Sequence, residues 1–143
     1  MATTLLNSDP MVDKINHTDE EWRKLLTPEE YHMLREDGTE PAFHNEFHDN
    51  KKKGTYNCAG CGLDLFSSDA KFDSGTGWPS FWAPITKDHV TTKTDKSYGM
   101  VREEVKCARC GGHLGHVFND GPRPTGMRYC MNSGAMHFVE VKK

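Results

Sequence analysis

The segments Cys58-Ala59-Gly60-Cys61-Gly62 and Cys107-Ala108-Arg109-Cys110-Gly111 decide how this 143-residue chain can fold, because each is a C-x-x-C-G unit. Two residues between the cysteines let a tight turn aim both sulfurs at one ion, and the following glycine relieves crowding in the turn. Two half-sites supply four thiolates, the tetrahedral set that binds a structural zinc ion at ~2.3 Å per bond. The sequence therefore predicts one structural Zn²⁺ per chain, held by Cys58, Cys61, Cys107 and Cys110.

The two cysteine pairs are far apart in the chain. The 45 residues between Cys61 and Cys107 exceed the roughly 15 to 20 of a minimal zinc ribbon, so the ion would join distant strands of one domain. A redox-active C-x-x-C of the thioredoxin type and a pair of disulfides are the alternatives. The thioredoxin type normally precedes a helix in a βαβ unit, which this neighbourhood lacks.

Helix start signals lie upstream of the cysteine units. The segments Thr18-Asp19-Glu20-Glu21 and Thr27-Pro28-Glu29-Glu30 both match the capping box, the second with proline at the first helical position. Apolar residues follow each box at helical spacing, and Gly38 suits a C-terminal cap. We expect two short helices, near 19–26 and 28–37.

From Gly54 onward, short apolar runs are interrupted by glycine and proline, a pattern typical of strands and turns. The chain is therefore predicted to be mainly β, with a single domain over residues 18–143 after an N-terminal extension over 1–17. The predicted strands are Thr55–Cys58, Leu63–Phe66, Phe81–Trp82, His89–Thr94, Tyr98–Cys107, His116–Phe118, Arg128–Asn132 and Met136–Val141.

Composition excludes several classes of protein. The chain is 35% hydrophobic and 27% charged with a mean hydropathy of −0.76, and no run approaches the roughly 20 apolar residues of a membrane helix. Residues 1–13 lack the basic and apolar regions of a secretory signal. Residues 1–50 carry 12 acids and 4 bases, and residues 51–143 carry 9 acids and 14 bases. The basic excess in the second segment is too small and too spread out to predict binding of a polynucleotide. We expect a cytoplasmic protein whose partners include neither nucleic acid nor membrane.

The fifth cysteine, Cys130, remains after the pairs are assigned to a metal. On an extended strand, alternation places Arg128, Cys130 and Asn132 on one face. A neighbouring cation favours the thiolate, which is the nucleophilic form of cysteine. The alternative interpretation is a buried cysteine that packs as a small hydrophobe.

Two further clusters could accompany this thiol. Strict alternation sends His113 and His116 to opposite faces, but a bulge at Gly115 could turn one of them. Together they could protonate a substrate oxygen, or they could be structural histidines. The loop Ser74–Trp82 holds two glycines and a proline around Trp78, whose indole could form an apolar wall or close the core.

Five motifs follow one another along the chain: Cys58-x-x-Cys61, Gly77-Trp78-Pro79-Ser80-Phe81, Cys107-x-x-Cys110, His113-Leu114-Gly115-His116-Val117-Phe118 and Arg128-Tyr129-Cys130-x-Asn132-Ser133. In this order they resemble the methionine-R-sulfoxide reductases of the B type. The resemblance spans roughly residues 18 to 141 and implies two antiparallel sheets, N-terminal helices, zinc on the paired cysteines and reduction of methionine-R-sulfoxide in proteins or peptides.

The resemblance also implies roles for individual residues. Cys130 is the implied nucleophile, and His113 and His116 are the implied catalytic groups around the sulfoxide oxygen. A thiolate and an acid must coexist, because sulfur is a poor target until its oxygen is protonated or strongly hydrogen-bonded. The products would be methionine and a sulfenic acid on Cys130. The implied substrate-binding residues are Trp78, Phe118, Asp120, Arg128 and Asn132.

The sequence departs from many members of that family at Thr76, where they carry a resolving cysteine. A hydroxyl cannot form a disulfide, and the other cysteines are assigned to zinc. We therefore predict a one-cysteine enzyme whose sulfenic acid is reduced by an external thiol: thioredoxin, glutaredoxin or glutathione. The alternative function is a zinc-stabilised binding or sensing module in which Cys130 reacts with oxidants without turnover, although a sensor needs no wall such as Trp78.

Overall fold

The computed structural model describes residues 15–36, 38–43, 45–96 and 99–141. In these ranges two α-helices, α1 (Asp19–Leu25) and α2 (Pro28–Arg35), precede all of the strands. The strands are β1 (Gly54–Cys58), β2 (Asp64–Ser67), β3 (Lys71–Phe72), β4 (Ser80–Phe81), β5 (Val90–Asp95), β6 (Arg102–Cys107), β7 (His113–Phe118), β8 (Arg128–Met131) and β9 (Met136–Glu140). Short 3-10 turns span Ser68–Ala70, Lys87–His89 and Ser133–Ala135.

Both helices begin at the predicted capping boxes. The hydroxyl of Thr18 accepts a bond from the Glu21 amide at 3.1 Å, and the Glu21 carboxylate accepts from the Thr18 amide at 2.7 Å. Thr27 and Glu30 repeat this arrangement at the start of α2. The predicted helices are thus confirmed, although α1 ends at Leu25 and α2 ends at Arg35, with Glu36 as its C-cap; Asp37 lies outside the described residues.

The strands form two antiparallel sheets. One has the order β2-β1-β9, and the other has the order β3-β4-β8-β7-β6-β5. The predicted fold class, mainly β with two antiparallel sheets and two short N-terminal helices, is confirmed. Of the predicted domain division, residues 1–14 and 142–143 lie outside the described residues, so that division stays a prediction.

All eight predicted strands are present, but each differs from its predicted bounds by at least one residue at one end. β7 begins at His113 rather than His116, because a bulge allows pairing to continue past Gly115. Pairing near Phe81 starts one residue earlier than predicted, and the two-residue strand β3 is too short to show an alternating pattern. β6 begins at Arg102, so the predicted extension of this strand over residues 99–101 is wrong, and Tyr98 itself lies outside the described residues.

Aromatic side chains pack the two sheets together. Phe66 of β2 stacks on Phe81 of β4 with ring centroids 4.5 Å apart, and Tyr56 of β1 meets Phe81 at 5.1 Å. Tyr129 of β8 also points into this core, 5.7 Å from Phe66. Because side chains alternate along a strand, the neighbouring Cys130 projects from the opposite face of the larger sheet. None of the described helices has the length and apolar character needed to cross a membrane.

Candidate active site and metal centre

The four paired cysteines meet in one cluster. The sulfurs of Cys58 and Cys110 are 3.6 Å apart, those of Cys61 and Cys107 are 3.5 Å apart, and all four lie within 4.8 Å of one another. None of the five cysteines forms a disulfide. Four ligands at ~2.3 Å around a tetrahedral ion require sulfurs about 3.8 Å apart, so the cluster has the dimensions to hold a metal ion.

Each cysteine pair lies on a tight turn closed by its glycine. The amide of Gly62 donates to the Cys58 carbonyl at 2.8 Å, and the amide of Gly111 donates to the Cys107 carbonyl at 2.9 Å. The φ angles of these glycines are +81° and +76°, a region that residues with a Cβ rarely adopt. The turn requires glycine there, which explains the fifth residue of each C-x-x-C-G unit.

A metal in this cluster would link separate parts of the fold. Cys58 ends β1 in the smaller sheet, and Cys107 ends β6 in the larger one. The helices are attached to the same place, since the Arg35 guanidinium donates to the Cys110 carbonyl at 2.9 Å and stacks over Trp22 at 4.8 Å. The cluster therefore lies where both sheets and the helical segment meet.

The fifth cysteine lies in a separate pocket. Cys130 is half-buried on β8, where its neighbours across the sheet are His116 of β7 and Ser80 of β4. The pocket has a volume of ≈ 90 Å³ and is partly open to solvent. It brings together Cys130, Trp78 and His116, three residues that sequence analysis had placed in separate motifs. Its lining residues are Thr39, Trp78, Arg102, Gly115, His116, Phe118, Cys130, Met131 and Asn132.

Burial dominates the electrostatics of the Cys130 thiol. Loss of solvent raises the pKa of Cys130, while contacts with Thr76, Arg128 and Ser80 lower it by a smaller amount. Arg128 therefore acts in the direction predicted from the sequence, but desolvation outweighs the cation, so the net shift of the Cys130 pKa is upward. Burial therefore disfavours the thiolate form of Cys130.

A row of hydroxyl groups lies beside the thiol. Thr76 Oγ1 is 4.0 Å from Cys130 Sγ, and Ser74 Oγ is 2.7 Å from both Thr76 Oγ1 and Ser80 Oγ. Ser80 is fully buried and donates to the Trp78 carbonyl at 3.0 Å. Sequence analysis missed Ser74 and Ser80, because their proximity to Cys130 depends on strand pairing.

Arg128 and Asp120 form one unit at the pocket's edge. Arg128 Nε and Nη2 donate to the two carboxylate oxygens of Asp120 at 2.8 and 3.2 Å, and the guanidinium stacks over the Phe118 ring at 4.3 Å. Asp120 is largely exposed, and neither Asp120 nor Arg128 belongs to the pocket lining. In this structure its carboxylate holds Arg128 in place, and its pKa is lowered by that cation.

The bulge in β7 brings the two histidines together. Val105 pairs with Gly115 while Lys106 pairs with His113, so one extra residue separates the two pairs on β7. The rings of His113 and His116 then meet edge to face at 5.4 Å. His116 lines the pocket and donates from Nε2 to Asp95 at 2.8 Å, whereas His113 is buried behind it. Burial lowers the pKa of His116, and the bond to Asp95 opposes that shift.

Gly115 lies where β7 and β8 approach most closely. A Cβ at this position would lie 2.1 Å from the Cys130 carbonyl oxygen and 2.9 Å from the Met131 Cα. A residue with a Cβ therefore does not fit at position 115 while β7 and β8 keep their present separation.

A segment preceding the strands closes one side of the pocket. The Trp78 indole donates from Nε1 to the Glu40 carbonyl at 2.9 Å, and the side-chain amide of Asn132 donates from Nδ2 to the Gly38 carbonyl at 2.9 Å. The buried Glu40 carboxylate accepts from the amides of Ser133 and Gly134, and burial raises its pKa. These bonds hold Trp78 and Asn132 in place.

Comparison with known proteins places the chain in a family. The family model described as the SelR domain matches residues 26–140. The chain belongs to the SelR family. Two similar SelR-family proteins, from Leptospira interrogans and Methanosarcina barkeri, are each named "Peptide methionine sulfoxide reductase MsrB". They are 57% and 59% identical to this chain, covering 87% of it in both cases and 95% and 87% of their own lengths. The resemblance proposed from the sequence motifs is confirmed.

Among solved structures, this SelR-family chain is similar to the "Crystal Structure of Mis18 'Yippee-like' Domain". The TM-score is 0.52 at 16% identity, and the match covers 64% of this chain and 100% of the other. At that identity the likeness concerns the fold alone.

Proposed function

We propose that this SelR-family protein reduces the R epimer of methionine sulfoxide in proteins and peptides, with Cys130 as the nucleophile. Peptide methionine sulfoxide reduction follows from membership of the family. The observation that carries the rest is the pocket, in which Cys130 faces Trp78 and His116 while the other cysteines belong to a separate cluster.

The chemistry divides between a sulfur nucleophile and a proton source. The Cys130 thiolate attacks the substrate sulfur while a histidinium gives its proton to the sulfoxide oxygen. The attack forms a transient S–S bond; the protonated oxygen then passes from the substrate sulfur to the Cys130 sulfur, and the S–S bond breaks to release methionine. Methionine sulfur gains two electrons, and Cys130 loses two as it becomes a sulfenic acid. Because burial disfavours the Cys130 thiolate, Arg128 and the hydroxyls near Sγ would stabilise the anion when it forms.

The shape of the pocket supports discrimination between epimers. Trp78 and His116 both line the pocket, the indole suited to the methyl group and the imidazole suited to the oxygen. With both groups placed, only one face of a chiral sulfur is presented to Cys130. Phe118, Arg128 and Asn132 complete the substrate-binding residues in this proposal, with Asp120 acting through Arg128.

Turnover requires a reductant from outside the chain. Thr76 Oγ1, at 4.0 Å, lies where a resolving sulfur could reach Cys130, but a hydroxyl cannot reduce a sulfenic acid. The remaining four cysteines lie together in their own cluster. The sulfenic acid would therefore be attacked by an external thiol, for which thioredoxin, glutaredoxin and glutathione are candidates, and a second thiol would then release the reduced enzyme.

The metal proposed for the four-cysteine cluster is zinc. An all-thiolate, largely buried set with no open position fits a structural Zn²⁺ held by Cys58, Cys61, Cys107 and Cys110. Bound there, the ion would supply folding free energy and leave the reaction to the Cys130 pocket.

The test is turnover of the separated R and S epimers of a methionine sulfoxide peptide with dithiothreitol as reductant. Wild type should reduce the R epimer, and Cys130→Ser should be inactive while retaining its metal and its melting temperature. Equal rates on both epimers, or activity in Cys130→Ser, would contradict the proposal. Oxidation of Cys130 by peroxide without turnover of either epimer would instead indicate a sensor.

A further inference from the structure

A buried carboxylate outside the predicted site residues contacts the histidine pair. Glu104 of β6 is 7% exposed, and its Oε2 lies 2.7 Å from Nδ1 of His113, which is 2% exposed. Acidic side chains are almost never buried without a partner, because the loss of hydration is expensive. The pair is therefore a built feature of the interior.

Sheet register connects this pair to the nucleophile. Glu104 lies directly opposite His116, and His116 lies directly opposite Cys130. The three residues form a row across β6, β7 and β8, so Glu104 is about 10 Å from Cys130 at ~4.8 Å per strand. The bulge brings His113 beside this row, against the carboxylate on one side and the His116 ring on the other.

We propose that Glu104 is a positioning residue for proton donation to the sulfoxide oxygen, an inference that rests on the proposed function. By accepting the Nδ1–H bond of His113, Glu104 fixes the orientation and the tautomer of that ring. It also offsets positive charge on the histidine pair, so that a proton is retained beside Cys130. The proton that leaves the pair ends on the oxygen transferred from substrate sulfur to Cys130.

Neighbouring charges explain why such a carboxylate is needed. Arg102, His113 and burial all lower the pKa of His116, so each of them disfavours the protonated form of this ring. Asp95 contacts His116 but also lies 3.6 Å from Arg102, which offsets part of its charge. By register, the other charged or titratable groups on this face of the sheet are Lys93 of β5, Lys106 of β6, and Cys130 and Arg128 of β8. From α2, which packs against β7, the Arg35 guanidinium is bound to the Cys110 carbonyl.

The test compares Glu104→Gln with Glu103→Gln, a matched control. Glu103 is the adjacent, exposed residue of the same strand, so its substitution removes the same charge from the opposite face. In Glu104→Gln we expect kcat for the R epimer to fall about tenfold to a hundredfold, within the range attributed to general acid catalysis, with KM changed by less than about threefold. The alkaline limb of the kcat profile should move to lower pH, and Glu104→Asp should restore part of the rate.

Glu103→Gln should leave kcat and the pH profile as in wild type. Equal kcat and pH profiles in Glu104→Gln and wild type would overturn the inference while leaving the proposed function standing. Absence of turnover in wild type would instead overturn the proposed function.

Nitrogen-15 NMR of histidine-labelled wild type decides the case if Glu104→Gln does not fold. The His113 ring should carry a proton on Nδ1. A His113 ring with Nδ1 unprotonated at the pH of maximal activity would overturn the inference without any variant.

Discussion

Replacing Gly115 by alanine tests whether the close approach of β7 and β8 sets the catalytic geometry. The added Cβ would lie 2.1 Å from the Cys130 carbonyl oxygen, and real Cβ contacts are essentially never shorter than 3.0 Å. The strands must therefore separate by about 1 Å, because the obstacle is backbone and cannot rotate away. That movement would stretch the 2.9 Å hydrogen bond from the backbone amide of Asn132 to the Leu114 carbonyl beyond hydrogen-bonding distance.

These effects give an expected magnitude. Overpacking of this kind costs about 1–3 kcal/mol, and one lost buried hydrogen bond adds about 1 kcal/mol. The free energy of unfolding should fall by about 2–4 kcal/mol, which at roughly 3 °C per kcal/mol lowers the melting temperature by about 6–12 °C. Since a displacement of about 1 Å between reacting groups can cost on the order of a hundredfold in rate, kcat should fall about that much in the folded variant.

The assay pairs calorimetry with kcat for the R epimer at a temperature where the variant is fully folded. Gly99→Ala is the control: Gly99 also resists a side chain, with φ at +70°, but nothing lies within 4 Å of its Cβ position. It should lose about 1–2 kcal/mol of stability through backbone strain and keep wild-type kcat. If Gly115→Ala also keeps wild-type kcat, the catalytic placement of His116 relative to Cys130 does not depend on the close spacing of β7 and β8, and the reasoning fails.

Three further predictions address the thiol, its reductant and the metal. Thr76→Cys should form an internal disulfide with Cys130 after reaction with substrate, since the replaced Oγ1 lies 4.0 Å from Sγ; mass spectrometry that still finds a sulfenic acid or an external adduct would contradict this. Arg128 lowers the pKa of Cys130 while burial raises it, so Arg128→Ala should raise that pKa further and move the pH midpoint of iodoacetamide alkylation upward. Coincident alkylation profiles in the variant and the wild type would show that the cation does not act on the thiol. Cys107→Ser should lose both zinc and the thermal transition of the wild type, because metal binding supplies folding free energy; an unchanged transition in this variant, or in wild type treated with chelator, would show that the fold does not need the ion.

Local features of this protein were predictable from the sequence. The capping boxes at Thr18 and Thr27 act within four residues, so their pattern alone located both helices. The two C-x-x-C-G units likewise close within their own turns, which is why the four-cysteine cluster was predicted correctly although 45 residues separate Cys61 from Cys107. The motifs around Trp78, His116 and Cys130 supplied several residues of the pocket through resemblance, whereas Thr39 and Arg102, which also line it, were not predicted.

Strand register and the bulge in β7 were decided only by the tertiary structure. Whether His113 and His116 could meet depended on one extra residue opposite Val105, and the single-sequence pattern allowed either outcome. Glu104 and Ser80 gained their importance by standing in the same row as Cys130, a relation that no spacing along the chain encodes. The net pKa shift of Cys130 followed the same rule: an adjacent arginine is visible in the sequence, but the loss of solvent that outweighs it exists only after the strands have packed.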